Sequence, residues 1–354
     1  MKKIIVVGEY MWPWYQQAFV DGFISQGFEV SKFSWFDLFW IRLENNQLEF
    51  KSLLHKIQYR LLYGPIIFKI NKLLIQQINE YNPDVVFLYN SFFISNKTLN
   101  KIKEINPNTI ICQYSNDNPF SKTGTFGLWK KFISNIPYCD KHYIFRENNR
   151  ADYISNGAKD INLLMPYFIK EKDFNVPIKS IPRNFHSDIV FAGHYEDDFR
   201  IEYLEDLISK GYNVKVFGGG WNEIVKSKGE KSPLYKLLPI NPVTGEEYRY
   251  AICGSKIPLC FLSKINKDSY TRRNFEIPAM KKVLLSEYSL ELSNMFIEDK
   301  EMVFFRNKAE FFKKIDLLLE NESMREKIGL NGFNIVNKRH DSFTRVEEII
   351  NTWK

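Results

Sequence analysis

Lys3-Ile4-Ile5-Val6-Val7-Gly8 and Asp188-Ile189-Val190-Phe191-Ala192-Gly193 are the two stretches that decide the fold. Each is a short, largely β-branched run closed by glycine, with a helical stretch after it. Runs that are apolar at nearly every position, instead of at alternate ones, are strands buried on both faces, the state of a parallel sheet covered by helices. The pattern repeats after each opening. Strands are expected at 28–33, 84–89, 109–114, 142–146 and 161–165 after the first, and at 213–217, 257–262, 283–286 and 302–305 after the second. The segments between them read as helices, notably 14–27, 51–81 with a break at Gly64-Pro65, 95–106, 148–157, 198–210 and 245–254. Between the two blocks lies a polar stretch, 170–187, in which Pro177 and Pro182 cannot sit inside either element.

The expectation is therefore an α/β protein of two doubly wound domains. Residues 1–178 form the first, 179–341 the second, and a last helix, 342–354, packs back on the first. A crevice at the carboxyl ends of the strands is the place for a ligand. A TIM barrel would need eight even β-α units without a mid-chain linker.

The 354 residues allow two domains. With 44% hydrophobic and 26% charged residues the chain is globular, neither a disordered tail nor a membrane bundle. An excess of 49 Lys and Arg over 42 Asp and Glu gives +7, which suits an anionic partner. Cys112, Cys139, Cys253 and Cys260 have no CxxC spacing and no histidine-rich surroundings, so they read as buried thiols in a reducing compartment. The first apolar run is too short for a signal sequence, and no stretch approaches the roughly 20 apolar residues of a membrane span. A cytoplasmic protein is expected. The aromatic share, 16%, is high.

Three segments of the second half carry chemistry. Gly193-His194 ends its opening strand, where backbone can approach a phosphate and His194 can reach a phosphate or a sugar hydroxyl; Arg200 follows closely. Gly218-Gly219-Gly220-Trp221 ends the next strand, and three successive glycines imply a backbone that must come close to something. This is neither GxGxxG nor a P-loop. The third is Asp268-Ser269-Tyr270-Thr271-Arg272-Arg273-Asn274-Phe275-Glu276. Arg272 and Arg273 can neutralise a diphosphate, and Glu276 can accept hydrogen bonds from a ribose diol. The plainer reading makes Arg273 and Glu276 an i,i+3 pair, with Phe275 in the core.

Taken together, residues 188–345 resemble the C-terminal half of GT-B glycosyltransferases, in particular the spore-maturation CgeB-like group. The resemblance rests on Phe191-Ala192-Gly193-His194, Arg200, Gly218-Gly219-Gly220-Trp221, Arg273-Asn274-Phe275-Glu276-Ile277-Pro278-Ala279, Ser286-Glu287-Tyr288 and the closing Gly332, His340 and Arg345. One place departs: Ala279-Met280-Lys281-Lys282 stands where the family has Ala-x-Gly-Gly, and Lys281 is expected to point into solvent. The resemblance implies two Rossmann-like domains and transfer of a sugar from a UDP-, TDP- or GDP-sugar, with no cofactor or catalytic metal. It also implies a donor site drawn from Gly193, His194, Arg200, Gly218, Gly219, Trp221, Tyr270, Arg272, Arg273, Asn274 and Glu276.

The acceptor, a cell-surface glycan, a lipid-linked sugar or a protein, is then expected on the first domain. Asp117 in Tyr114-Ser115-Asn116-Asp117-Asn118-Pro119 and Glu9 in Gly8-Glu9-Tyr10 are rival bases, each with a turn-forming alternative, and Arg146 follows another strand end. Trp12, Trp14 and the run Phe33-Ser34-Trp35-Phe36-Asp37-Leu38-Phe39-Trp40 supply rings for sugar stacking or for peripheral contact with the inner membrane face, beside Arg42, Lys51, Lys56 and Arg60, or else for an aromatic core. The segment from Trp35 to Trp40 is expected to stay partly exposed. A nucleotide-sugar-binding relative without turnover is the alternative function. Nucleic-acid binding lacks a basic stripe with interleaved rings or a recognised module.

Overall fold

Strands form where the apolar runs lie, and all of them in the two main sheets pair in parallel. The computed structural model describes residues 2–12, 14–42, 48–121 and 127–353. The chain divides into two compact units, residues 1–165 with 342–354, and residues 166–341.

In the first unit the strands are β1 (Lys3–Gly8), β2 (Glu29–Ser34), a small antiparallel pair β3 (Trp40–Arg42) and β4 (Leu48–Phe50), then β5 (Val85–Tyr89), β6 (Ile110–Ser115), β7 (Lys141–Ile144) and β8 (Ile161–Leu163). Six of them form one sheet in the order β2-β1-β5-β6-β7-β8. Ile4 to Val7 of β1 and all of β5 are buried, as strands sandwiched between helix layers must be. Rings fill much of this core: Phe19 lies 5.3 Å from Phe87 and 5.5 Å from Tyr89, centroid to centroid.

The segment from Trp35 to Trp40 is partly exposed, as expected, with Asp37 outward and Phe36, Leu38 and Trp40 half-buried. A short helix, Phe36–Phe39, turns Trp35 and Phe39 inward onto Phe93, and both are fully buried. The β3–β4 pair that follows is not legible as strands in the sequence.

The helix Ser342–Asn351 belongs to the first unit. Trp353 stacks on Phe23 at 5.6 Å and donates from its indole N–H to the Tyr143 hydroxyl at 2.9 Å. Arg345, fully buried, donates to the Met165 carbonyl at 3.0 Å.

The boundary between the units falls after Met165, not at 178. The intervening residues are fastened to the second unit. Phe168 N–H donates to the His340 carbonyl, Val176 N–H to the Cys253 sulfur, and Asp173 accepts from Arg272. Prolines say that no helix or strand forms there; they do not say which body holds the chain.

The second unit has β9 (Ser187–Ala192), β10 (Val214–Phe217), β11 (Ser255–Cys260), β12 (Leu285–Glu287) and β13 (Val303–Phe305), ordered β10-β9-β11-β12-β13. Its core gathers Phe191, Phe261, Phe305 and Phe311 with the aliphatic residues of the helices. In each unit the chain leaves the first strand toward one edge and later returns on its other side. The loops after β1 and β5, and after β9 and β11, therefore diverge at the carboxyl ends, where doubly wound sheets take ligands.

Candidate functional site

At the carboxyl end of β9 two glycine turns lock together. Gly193 N–H donates to the Phe217 carbonyl at 2.8 Å, and Tyr195 N–H to the Gly219 carbonyl at 2.9 Å. Gly218 has φ +147°, and a Cβ on it would stand 2.0 Å from the Gly193 carbonyl oxygen. Only glycine fits there. Trp221, fully buried, donates its indole N–H to the same oxygen at 2.9 Å. Trp221 thus holds the turn from beneath and does not face a ligand, a correction to its place among the expected donor contacts.

Arg200 needs the same correction. It is 1% exposed, pairs in bidentate fashion with Asp198 at 2.8 Å, lies 3.2 Å from Glu196 and donates to the His194 carbonyl at 2.9 Å. Its charge is spent on its own loop. Asn274 is fully buried as well, with Thr271, Ser286 and the sulfurs of Cys260 and Met302 around it, and Tyr270 is buried against Phe275. The guanidinium of Arg200 and the amide of Asn274 are thus engaged inside the unit.

Arg273 is different. The helix Arg273–Ala279 begins at the switch between β9 and β11 and carries the guanidinium to the Gly193 turn. Its Nη1 lies 3.3 Å from the Ala192 carbonyl oxygen and 3.1 Å from where a Gly193 Cβ would be. Its Nε is buried without a hydrogen-bond partner, and among the described residues no carboxylate forms a salt bridge with it. His194 sits close by. Its surroundings and the Arg273 charge lower its pKa below the usual value, so the ring is neutral at pH 7 and free to donate or accept one hydrogen bond.

Arg272 and Glu276 form a second cluster on that helix. Arg272 bonds Asp173 at 2.9 Å and Glu276 at 2.8 Å, and Tyr248 donates its hydroxyl to Glu276. Burial, opposed by Arg272, raises the Glu276 pKa. Sequence reasoning misses Asp173 and Tyr248; each is far along the chain from Arg272, and no local pattern marks them. The departure Lys281-Lys282 lies elsewhere. Both residues line a cavity of about 650 Å³ with Ser187 and Ser255, the first residues of β9 and β11, at the opposite end of the sheet. Lys281 is exposed, as expected, and adopts φ +57°, where glycine would be relaxed.

In the first unit Glu9 follows β1 and Asp117 follows β6, both at carboxyl strand ends. Glu9 Oε1 is buried without a hydrogen-bond partner, and burial, only partly offset by the Trp40 indole, pushes its pKa up to about 7. Burial also raises Asp117, against the nearby Arg146 charge; Arg146 donates to the Asn116 carbonyl at 2.9 Å. Both carboxylates therefore hold a proton more tightly than an exposed one does.

A pH experiment follows from Glu9. Its folded pKa of about 7 lies above the unfolded value near 4.5, so its favourable contribution is full below pH 4.5 and is lost as pH rises through 7. At about 1.4 kcal/mol per unit, ionised Glu9 costs at most about 3.5 kcal/mol at high pH. Glu9→Gln is expected to be more stable than the wild type at pH 8, with the gain vanishing toward pH 5. Urea unfolding at both values measures it, and a pH-independent difference would contradict the assignment.

The comparisons with known proteins agree with this architecture. Residues 199–351 match a family model described as glycosyl transferase-like. Among solved structures, a sucrose-phosphate synthase from Thermosynechococcus elongatus superposes with TM-score 0.69 at 9% identity, covering 100% of this chain and 98% of that one. HepE of Anabaena, crystallised with UDP-glucose, gives 0.68 at 12% identity, covering 100% and 99%. A glycosyltransferase from Rickettsia africae gives 0.63 at 12%, covering 100% and 98%.

The fold is GT-B.

The residues that the family model matches, 199–351, lie mostly in the second unit and include Arg200, the triple-glycine turn and the Arg272–Glu276 stretch. No curated protein matches the sequence. Among the described residues no group of three His, Cys, Asp or Glu side chains stands close enough to hold a metal ion.

Proposed function

We propose that the protein transfers a glycosyl group from a nucleoside diphosphate sugar to a hydroxyl acceptor, with UDP as the nucleotide and the donor held by the second unit. Arg273 carries the reading: a cation with a buried, unsatisfied Nε beside two glycine turns at the switch point of a GT-B sheet. A diphosphate supplies the acceptor oxygens that Arg273 lacks. The guanidinium and neighbouring backbone N–H groups then stabilise the charge that develops on the leaving phosphate, so no metal is needed for that step. His194 donates to a phosphate or sugar oxygen. Glu276, held by Arg272 and Tyr248, keeps lone pairs for the ribose hydroxyls. Gly193, Gly218 and Gly219 give the backbone room.

HepE, which has this fold, was crystallised with UDP-glucose, which supports UDP among the candidate nucleotides. The motifs along 188–345 favour the CgeB-like group within the fold. For the acceptor, a cell-surface glycan, lipid-linked sugar or protein, Asp117 or Glu9 takes the hydroxyl proton if configuration inverts.

Calorimetric titration with UDP, GDP, TDP and CMP tests the donor assignment. UDP is expected to bind best, and Arg273→Ala to weaken it about 100-fold, the loss of one or two charge-assisted hydrogen bonds. Unchanged affinity in that variant would remove the site. Turnover of a UDP-sugar panel, with and without EDTA, separates an enzyme from a binding relative: tight UDP binding without UDP release favours the latter.

A further inference from the structure

From position 51 to position 79 the chain has Lys51, Lys56, Arg60, Lys69 and Lys72 and no Asp or Glu. Two helices of the first unit, Leu53–Leu61 and Pro65–Tyr81, account for nearly all of this stretch. The shorter one has no fully buried residue. It holds to the unit through Tyr59, whose ring lies 5.2 Å from Phe39 and 5.3 Å from Phe50. At 100° per residue, Leu53, Leu54, Ile57 and Leu61 share the arc away from Tyr59, with Arg60 and Lys56 along one border.

That arc faces outward. Leu53 is 71% exposed and Leu61 67%. It continues past the helix end into Tyr63 and Phe68, also exposed, whose rings pack on each other at 5.4 Å. Lys69, Lys72 and Leu73 extend it along the exposed side of the second helix. A contiguous apolar patch of this kind, rimmed by one sign of charge, marks an interaction surface.

We infer that this helix pair docks the protein peripherally on an anionic lipid bilayer, with the leucines and Phe68 at the headgroup–acyl boundary and the cations against lipid phosphates. An amphipathic helix with leucines on one face and Lys and Arg beside them has the chemistry of an in-plane membrane contact. A second copy fits less well, because a twofold interface would set these cations against themselves. No helix among the described residues is long and apolar enough to cross a membrane, so the contact lies in the surface plane. Trp35 and Phe39, buried in the core, take no part.

Co-sedimentation of the full chain with vesicles tests this, using phosphatidylcholine alone and an equimolar mixture with phosphatidylglycerol. Binding to the anionic vesicles is expected to be at least about tenfold stronger and to fall as salt is raised. Leu54→Gln/Leu61→Gln/Phe68→Gln and, separately, Lys56→Gln/Arg60→Gln/Lys69→Gln/Lys72→Gln are each expected to weaken it about tenfold or more. Both should keep the wild-type melting temperature and UDP affinity, since they alter exposed side chains of the first unit. Equal binding to the two vesicle types, or variants that sediment like the wild type, would overturn the inference. So would a dimer in light scattering that the leucine variant converts to monomer. Loss of UDP binding in the wild type would count against the donor site and leave this result standing.

Discussion

Gly218→Val is expected to give a second unit that melts at least about 8 °C lower and to lose the proposed binding of UDP. The Gly218 backbone sits at φ +147°, which a β-branched residue reaches only with strain of about 1–3 kcal/mol. Its Cβ position lies 2.0 Å from the Gly193 carbonyl oxygen and 3.2 Å from the His194 nitrogen, both backbone atoms. Neither can move alone: the Gly193 carbonyl also accepts from Trp221, and Gly193 N–H is tied to Phe217. Separating the turns breaks those bonds, for a total cost of roughly 4 kcal/mol or more, a large part of the stability of a domain. Gly219→Ala is the control. Its Cβ would meet only the His194 ring, at 3.0 Å from Nδ1, and a ring can rotate away. Thermal unfolding and UDP titration of both variants decide the matter; a Gly218→Val protein with wild-type melting and affinity would show that the turns are not coupled.

The coupling explains what is legible in the sequence. A turn that demands glycine must spell it out locally, so Gly193 and Gly218-Gly219-Gly220 stand out from residue order alone. β1 and β9 do too, because strands covered on both faces need unbroken apolar runs. Partners brought together by the fold leave no such mark. Nothing near Arg272 announces Asp173 or Tyr248, and nothing in the strand pattern gives the order β10-β9-β11-β12-β13. Orientation is equally hidden. An arginine beside a glycine turn reads as a phosphate ligand whether its Nε is left without a hydrogen-bond partner, as in Arg273, or its guanidinium is engaged by a carboxylate of its own loop, as in Arg200. Which rings of the partly exposed Trp35–Trp40 segment turn inward is hidden for the same reason: the sequence carries no sign that a four-residue helix buries Trp35 and Phe39 and leaves Trp40 half-exposed.

The buried Arg200–Asp198 pair gives the other large effect. Arg200→Ala is expected to cost about 3–5 kcal/mol, because it leaves the carboxylate of Asp198, 7% exposed, without its counter-charge and frees the His194 carbonyl. The damage should spread to the proposed donor site. The loop from Gly193 to Phe199 carries His194, and Glu196, which Arg200 also holds, accepts from Ser263 in the loop after β11. UDP affinity is therefore expected to fall with stability, unlike in Arg273→Ala, where affinity falls and stability holds. Arg200→Met combined with Asp198→Asn removes both charges at once and should recover a good part of the loss, since the dominant penalty is the unpaired charge and not the missing attraction. Urea unfolding of the two singles and the double measures the recovery. If the double variant is as unstable as the sum of the singles, Arg200 does not act through Asp198, and the loop is held by its backbone alone.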